Sequence, residues 1–325
     1  MKHISLLVPV RAKLLSIDTA LQAFAEVNEG LKANGRSPMF NVQLVGLTKT
    51  IELNEGLYSV KTNCVISEVE KTDLIIIPPV KGNLGEALEL NREFFPWIAK
   101  QYYNGAEVAS LCVGAFLLAA TGLLKGKHCA THWRAANDFK KNFPDVHLMV
   151  DKIITDEQGI YSSGGALSAT NLVLYLIEKY AGREIAIYCS KMFQVDIERI
   201  SQSQFIIFSG QKNHSDDVVK FAQEFIESNF SEKITVDQLC DKFGVGRRTF
   251  ERRFKAATYN SVIEYMQRVK VEAAKKQLEL GRKTINEVMF GVGYTDTKAF
   301  REVFKKVTGM SPIDYRNKYS KEIAA

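Results

Sequence analysis

The last hundred or so residues carry one pattern twice, and that duplication restricts the fold more than any other feature. Phe250–Tyr265 (FERRFKAATYNSVIEY) lies over Phe300–Tyr315 (FREVFKKVTGMSPIDY) at an offset of 50, with Phe, Phe, Lys, Thr, Ser, Ile and Tyr coinciding. Just upstream, Thr235–Val245 (TVDQLCDKFGV) lies over Thr284–Tyr294 (TINEVMFGVGY) at an offset of 49, and one inserted residue near Thr295 reconciles the two. One supersecondary unit therefore occurs twice. Each copy reads as helix, turn, helix. Thr235 with Gln238, and Thr284 with Glu287, have the spacing of capping boxes. Leu239 with Phe243, and Val288 with Val292, sit four residues apart and face inward. Gly244 and Gly293 end the first helix, because glycine enters the left-handed region without steric penalty.

In the second helix Phe250 and Phe254, or Phe300 and Phe304, take the buried side. The exposed side then carries Arg247, Arg248, Glu251 and Arg252 in the first copy, and Thr297, Lys298, Arg301 and Lys305 in the second. A helix fits the DNA major groove, arginine pairs bidentately with guanine, and lysine or threonine reaches phosphate. Charge agrees: residues 1–212 hold 22 basic against 21 acidic side chains, whereas residues 244–283 hold 11 against 4. Such a patch suits a polyanion. A long helix, Ser261 to Leu280, is expected between the copies as a strut holding the reading helices about one DNA turn, roughly 34 Å, apart. A last helix opens at Ser311-Pro312. The competing reading is a plain helical bundle with a repeated hairpin. Residues 215–318 resemble the AraC/XylS-type DNA-binding domain, most closely through Gly293-Tyr294-Thr295-Asp296, Phe300, Phe304-Lys305-Lys306, Thr308-Gly309-Met310-Ser311-Pro312 and Tyr315-Arg316. The resemblance implies two helix-turn-helix motifs on consecutive major-groove faces. Two residues depart from it: Tyr259 replaces a usual glycine and Met289 a usual alanine.

The first two hundred residues alternate apolar strands with amphipathic helices. Strands are expected at His3–Val10, Asp73–Pro78, Glu107–Leu111, Met149–Ile154 and Ile160–Ser162. Helices are expected at Ile17–Ala33, Gly85–Tyr103, Gly114–Ala120 and Leu167–Tyr180. That order predicts an α/β domain with a parallel, flavodoxin-like sheet and helices on both faces, followed by an all-α domain with two helix-turn-helix motifs. At Ser110-Leu111-Cys112-Val113-Gly114-Ala115 a small residue occupies a strand-to-helix turn with glycine two later, the pattern of a nucleophile elbow. A cysteine at a helix N-terminus would be favoured as thiolate. Cys112–Leu124, Gly126, Thr131-His132-Trp133 and Ser163-Gly164-Gly165 with Asn171 resemble the PfpI-type branch of the class I glutamine amidotransferase-like superfamily, over about residues 3–195. Such a domain ahead of an AraC-type domain is the layout of the GlxA-like regulators.

Catalysis at Cys112 would need a base and an orienting acid. The superfamily's hydrolases place a histidine directly after the cysteine, where this chain has Val113. They also carry a glutamate after the first strand, where this chain reads Arg11-Ala12-Lys13-Leu14-Leu15. No catalytic residue is therefore assigned. Cys112, Val113 and His132 are candidate ligand-binding residues, with a packed or N-capping role equally open for His132. Three other readings stand beside a ligand sensor: an amidase- or hydratase-type enzyme using Cys112, a redox switch at that thiol, and a structural relic.

The five cysteines form no CxxC pair, so neither a disulfide framework nor a zinc site is expected. A reducing cytoplasm fits. The longest apolar stretch, Leu111–Leu124, is short of the roughly 20 residues that span a bilayer. No cofactor or metal is implied. The expected organisation is a sensor domain over residues 1–196, a linker over 197–214 with hinges at Ser201–Gln204 and Ser209–Asp217, and a DNA-binding domain over 215–320. The expected partners are double-stranded DNA, a small effector that the resemblance makes a nitrogenous metabolite, and a second copy paired through the N-terminal domain.

Overall fold

In a computed structural model of the chain, residues 1–165, 169–197 and 201–320 are described. They divide into two units, Met1–Gln202 and Ser203–Ala325.

The first unit begins with β1 (Lys2–Leu7), α1 (Leu14–Ala33) and β2 (Phe40–Gly46). A hairpin, β3 (Thr50–Leu53) and β4 (Tyr58–Lys61), leads to the short β5 (Cys64–Val65) and to β6 (Leu74–Ile77). Then come α2 (Leu84–Leu90), α3 (Phe94–Tyr103), β7 (Glu107–Leu111), α4 (Ala115–Ala120), β8 (His128–Cys129), α5 (Ala136–Asn142) and β9 (His147–Leu148). The unit closes with β10 (Ile154–Glu157), β11 (Ile160–Ser163), α6 (Ala169–Ala181) and α7 (Arg183–Phe193). The main sheet has the order β10-β11-β7-β6-β1-β2-β5, and its core β2-β1-β6-β7-β11 is the doubly wound 2-1-3-4-5 order. Side chains alternate across it as the two-residue period requires. Leu74 and Ile76 of β6 pack with α1, α6 and α7, whereas Ile75 and Ile77 pack with α3 and α4.

Three expectations are corrected. β2 is a full strand beside β1 that the sequence reading passed over. The expected strand Met149–Ile154 begins only at Ile154, and β10 pairs antiparallel with β11, not parallel. Gln158 and Gly159, both at positive φ (54° and 74°), form the tight turn joining them. The single helix expected over Gly85–Tyr103 is two. The buried Asn91 side chain bonds back to Ala87 C=O (2.8 Å) and reaches across to Val10 N–H (2.8 Å) and Val10 C=O (3.1 Å). Pro96 then fits only because it lies in the first turn of α3, where its missing N–H has no helical partner. The expected start of α6 at Leu167 falls outside the described residues, as does the 198–200 stretch of the expected linker.

The second unit holds α8 (Asp217–Ser228), α9 (Val236–Phe243), α10 (Arg247–Thr258), α11 (Val262–Glu279), α12 (Ile285–Gly291), α13 (Thr297–Thr308) and α14 (Pro312–Tyr319). It has two small cores. Val262, Tyr265 and Val269 of α11 belong to the first, and Val271, Ala274 and Leu278 to the second. The strut expected between the repeats is thus the shared wall of both. Among the described residues no helix is long and apolar enough to cross a membrane.

Candidate nucleic-acid interface and cysteine elbow

The repeat written in the sequence is repeated in geometry. Thr235 and Thr284 each cap their helix in a complete capping box, as do Ser261 and Glu264 at α11. Gly244 adopts φ +63° with open space around it, so the backbone angle alone calls for glycine there. Phe254 meets Tyr265 edge-on at 5.3 Å, and Phe304 meets Tyr315 in the same way at 5.5 Å. Tyr259 takes φ +57° where Gly309 takes φ +76°, so the tyrosine adopts the glycine's left-handed turn. That conformation costs an L-residue about 1–2 kcal/mol. Met289 is buried in the second core.

With Phe250, Phe254 and Thr258 buried, the opposite face of α10 presents Arg248, Glu251 and Arg252 to solvent, together with Thr249 and Lys255, which the sequence reading did not select. Arg247 is also exposed, but its guanidinium is engaged. It donates to both oxygens of Asp237 (3.1 and 3.3 Å) and to Glu251 (3.2 Å). Arg253 turns to the other side and forms a two-pronged pair with Asp216 at 2.7 and 2.8 Å. The exposed face of α13 carries Lys298, Arg301, Lys305 and Lys306, and Thr297 is half-buried in its first turn. Asp296 caps that helix through Ala299 N–H (2.6 Å), whereas the matching Gly246 offers α10 no side-chain cap. Two cationic helix faces, each the second helix of a helix-turn-helix, are the arrangement that major-groove reading requires.

In the first unit the strand ends β1, β6, β7 and β11 all deliver loops to the carboxyl edge of the sheet, where doubly wound folds bind ligands. Cys112 follows β7 with φ +56°, a strained left-handed angle for a non-glycine residue at a strand-to-helix turn. Gly114 allows the turn to press against β6: a Cβ there would lie 2.5 Å from Ile77 O and 2.9 Å from Pro78 O. Cys112 N–H points at Ser163 Oγ (3.4 Å), and Thr131 Oγ1 donates to Cys112 O (3.0 Å). The elbow expected from the sequence is present, but the thiolate is not favoured. Burial pushes the Cys112 thiol up, against weaker lowering by the Val113 N–H and the Lys13 charge. Desolvation outweighs whatever field the six-residue α4 supplies. Val113 is half-buried beside it.

His132 takes the capping role. Its Nδ1 accepts Arg134 N–H at 3.1 Å, at the head of a short 3₁₀ turn. Burial, then the charges of Lys13 and Arg134, hold its imidazole below the ordinary value and so neutral at pH 7. Lys13, on the loop after β1, thus acts electrostatically on both Cys112 and His132, where a carboxylate would be needed to orient a base. One participant escaped the sequence reading. Gln202, within the expected hinge, is buried, and its Nε2 donates to the carbonyls of Thr131 (3.0 Å), Val150 (2.8 Å) and Lys152 (3.2 Å). Its amide packs against Gly164, where a Cβ would collide with Nε2. Thr131 therefore touches Cys112 with its hydroxyl and Gln202 with its carbonyl.

Residues 239–318 match a helix-turn-helix domain family, and residues 23–179 match the DJ-1/PfpI family. The chain is 26% identical over 238 residues to the HTH-type transcriptional regulator GbdR of Pseudomonas aeruginosa, covering 73% of this chain and 65% of that protein. It is 26% identical over 217 residues to ArgR of the same organism, covering 66% and 65%. The chain thus spans just under two thirds of the length of these relatives. A crystal structure of a proposed transcriptional regulator from Vibrio parahaemolyticus shares the fold with a TM-score of 0.53 and 21% identity, over 59% of this chain and 98% of that one. The chain joins an N-terminal DJ-1/PfpI domain to a C-terminal AraC-type helix-turn-helix domain.

Proposed function

We propose that the protein is a sequence-specific DNA-binding transcription regulator of the cytoplasm, controlled by a small metabolite bound at the carboxyl edge of the N-terminal sheet beside Cys112, Val113 and His132. The observation that carries the reading is the duplicated helix-turn-helix with a cationic outer face on each second helix. The names of GbdR and ArgR, both HTH-type transcriptional regulators, support it. Arg248 and Arg252 read base edges from α10, while Lys298, Arg301 and Lys305 of α13 add register, with Thr297 and Glu251 at the margins. Arg247 joins the contact only by leaving Asp237. The effector is a nitrogenous metabolite, and two copies pair through the N-terminal domain to address repeated half-sites.

A Cys112 hydrolase is disfavoured by chemistry. The thiol is pushed up by burial, and the segment after β1 supplies cations where an orienting acid is required. The test is selection of duplexes from a random DNA library by the full chain, then titration with metabolites. Enrichment of a motif, bound more or less tightly with one metabolite and with that response altered in Cys112→Ala, is the expected outcome. Failure to enrich any motif, or steady turnover of an amide abolished by the same substitution, would overturn the reading.

A further inference from the structure

The two helix-turn-helix units meet at one half-buried lysine ammonium. Lys270 lies on α11 between Val269, which packs in the first core, and Val271, which packs in the second. Its Nζ donates to Phe230 O (2.6 Å) and Glu232 O (3.1 Å), both in the loop that opens the first unit between α8 and α9. It also donates to Val292 O (3.0 Å), the residue that ends α12 in the second unit. An ammonium has three donors and no acceptor, so this set is complete. The backbones touch at the same place. Gly293 has φ +76°, and a Cβ on it would run into Ser231 O and come within 2.7 Å of Lys270 Nζ. Phe230 packs against both cores. The two copies differ at this position: at the offset of 50, Lys270 corresponds to Ser320, which caps the end of α14.

We infer that Lys270 is a positioning residue for DNA recognition, fixing the angle and spacing between α10 and α13 by tying both helix-turn-helix units to α11 through their backbones. Its nitrogen is consumed inside the protein, so it contributes orientation and no phosphate contact. This rests on the DNA-reading function proposed above, but its geometric half does not.

The full chain, without DNA, is spin-labelled through unnatural amino acids at the exposed positions Thr249 and Lys305, and the distance distribution is measured by pulsed electron resonance. One narrow distance is expected, broadened or displaced in both Lys270→Met and Gly293→Ala, the latter forcing Ser231 away while keeping the lysine. An unchanged distribution in a folded Lys270→Met, or in Gly293→Ala should the first fail to fold, overturns the inference whatever DNA does. Against a duplex selected by the parent chain, Lys270→Met is expected to bind about ten-fold more weakly. It should also tolerate a one-base-pair insertion between the two contacted segments, with the salt slope unchanged. A slope shallower by about 0.9 would make Lys270 a phosphate contact and overturn the assignment.

Discussion

Replacing Asp237 with asparagine should strengthen DNA binding. Asp237 holds the Arg247 guanidinium through two oxygens at 3.1 and 3.3 Å, with Glu251 adding a third acceptor at 3.2 Å. The side chains of Arg247 and Asp237 are 55% and 69% exposed, so solvent screens the pair and the fold depends little on it. Removing the carboxylate leaves Arg247, at the first turn of the reading helix, with Glu251 as its one charged partner, and it deletes a negative charge beside the DNA face. If Arg247 then takes one phosphate, the slope of log K against log salt steepens by about 0.9. Over a change from 50 to 200 mM salt that adds roughly a 3.5-fold difference in affinity. Fluorescence anisotropy with a duplex selected by the parent chain, across that salt range, reads both quantities. Equal or weaker binding by Asp237→Asn with an unchanged slope would refute the idea that this pair withholds Arg247 from DNA.

Three further outcomes are expected. Burial raises the Glu107 carboxyl, but hydrogen bonds from Tyr161, Tyr180 and Lys179 outweigh it and leave the value below ordinary. A folded value below the unfolded value of about 4.3 gives stability that is present above that pH and lost as pH falls through the folded value. Denaturant midpoints of Glu107→Gln should therefore change less than the parent's below about pH 4.3, and parallel curves would count against the network. Gln202→Ala leaves the carbonyls of Thr131, Val150 and Lys152 without that donor, and a loss of about 1–3 kcal/mol in urea unfolding is expected. A neutral result would mean water replaces the amide. Alkylation of the native chain at pH 7, followed by mass spectrometry, should mark the half-exposed Cys64 well before Cys112. Prompt labelling of Cys112 would show that its thiol is neither buried nor raised.

The helical domain was legible because its signals are local. Capping boxes, the glycine at Gly244 and phenylalanines four apart each act within one or two turns, and repetition let each copy check the other. The elbow was legible for the same reason, since a strand, a small residue and a glycine are consecutive. β2 was not, although Phe40, Val42 and Leu44 alternate with Asn41 and Gln43, because it lacks the continuous apolar run that marks β6. What holds its start is distant: Asn28 on α1 bonds Met39 N–H, Phe40 N–H and Phe40 C=O. The break at Asn91 depends in the same way on Val10, eighty-one residues away. Arg247 looked like a free cation because Asp237 lies on another helix. Gln202 and Lys270 were invisible as site residues because their partners are backbone carbonyls, which carry no residue identity. The thiolate expectation failed because burial of Cys112 is a property of the packed sheet and helices around it.

Chemical footprinting of the full chain on a selected duplex tests the central claim most directly. Two adjacent major-groove segments should be protected, centred about 10 base pairs apart on one face of the helix. Arg252→Ala should relax sequence preference in one segment by about 1–3 kcal/mol and leave the other unchanged. A single protected segment, or protection without sequence preference, would contradict the reading of the duplicated unit as two DNA-reading heads.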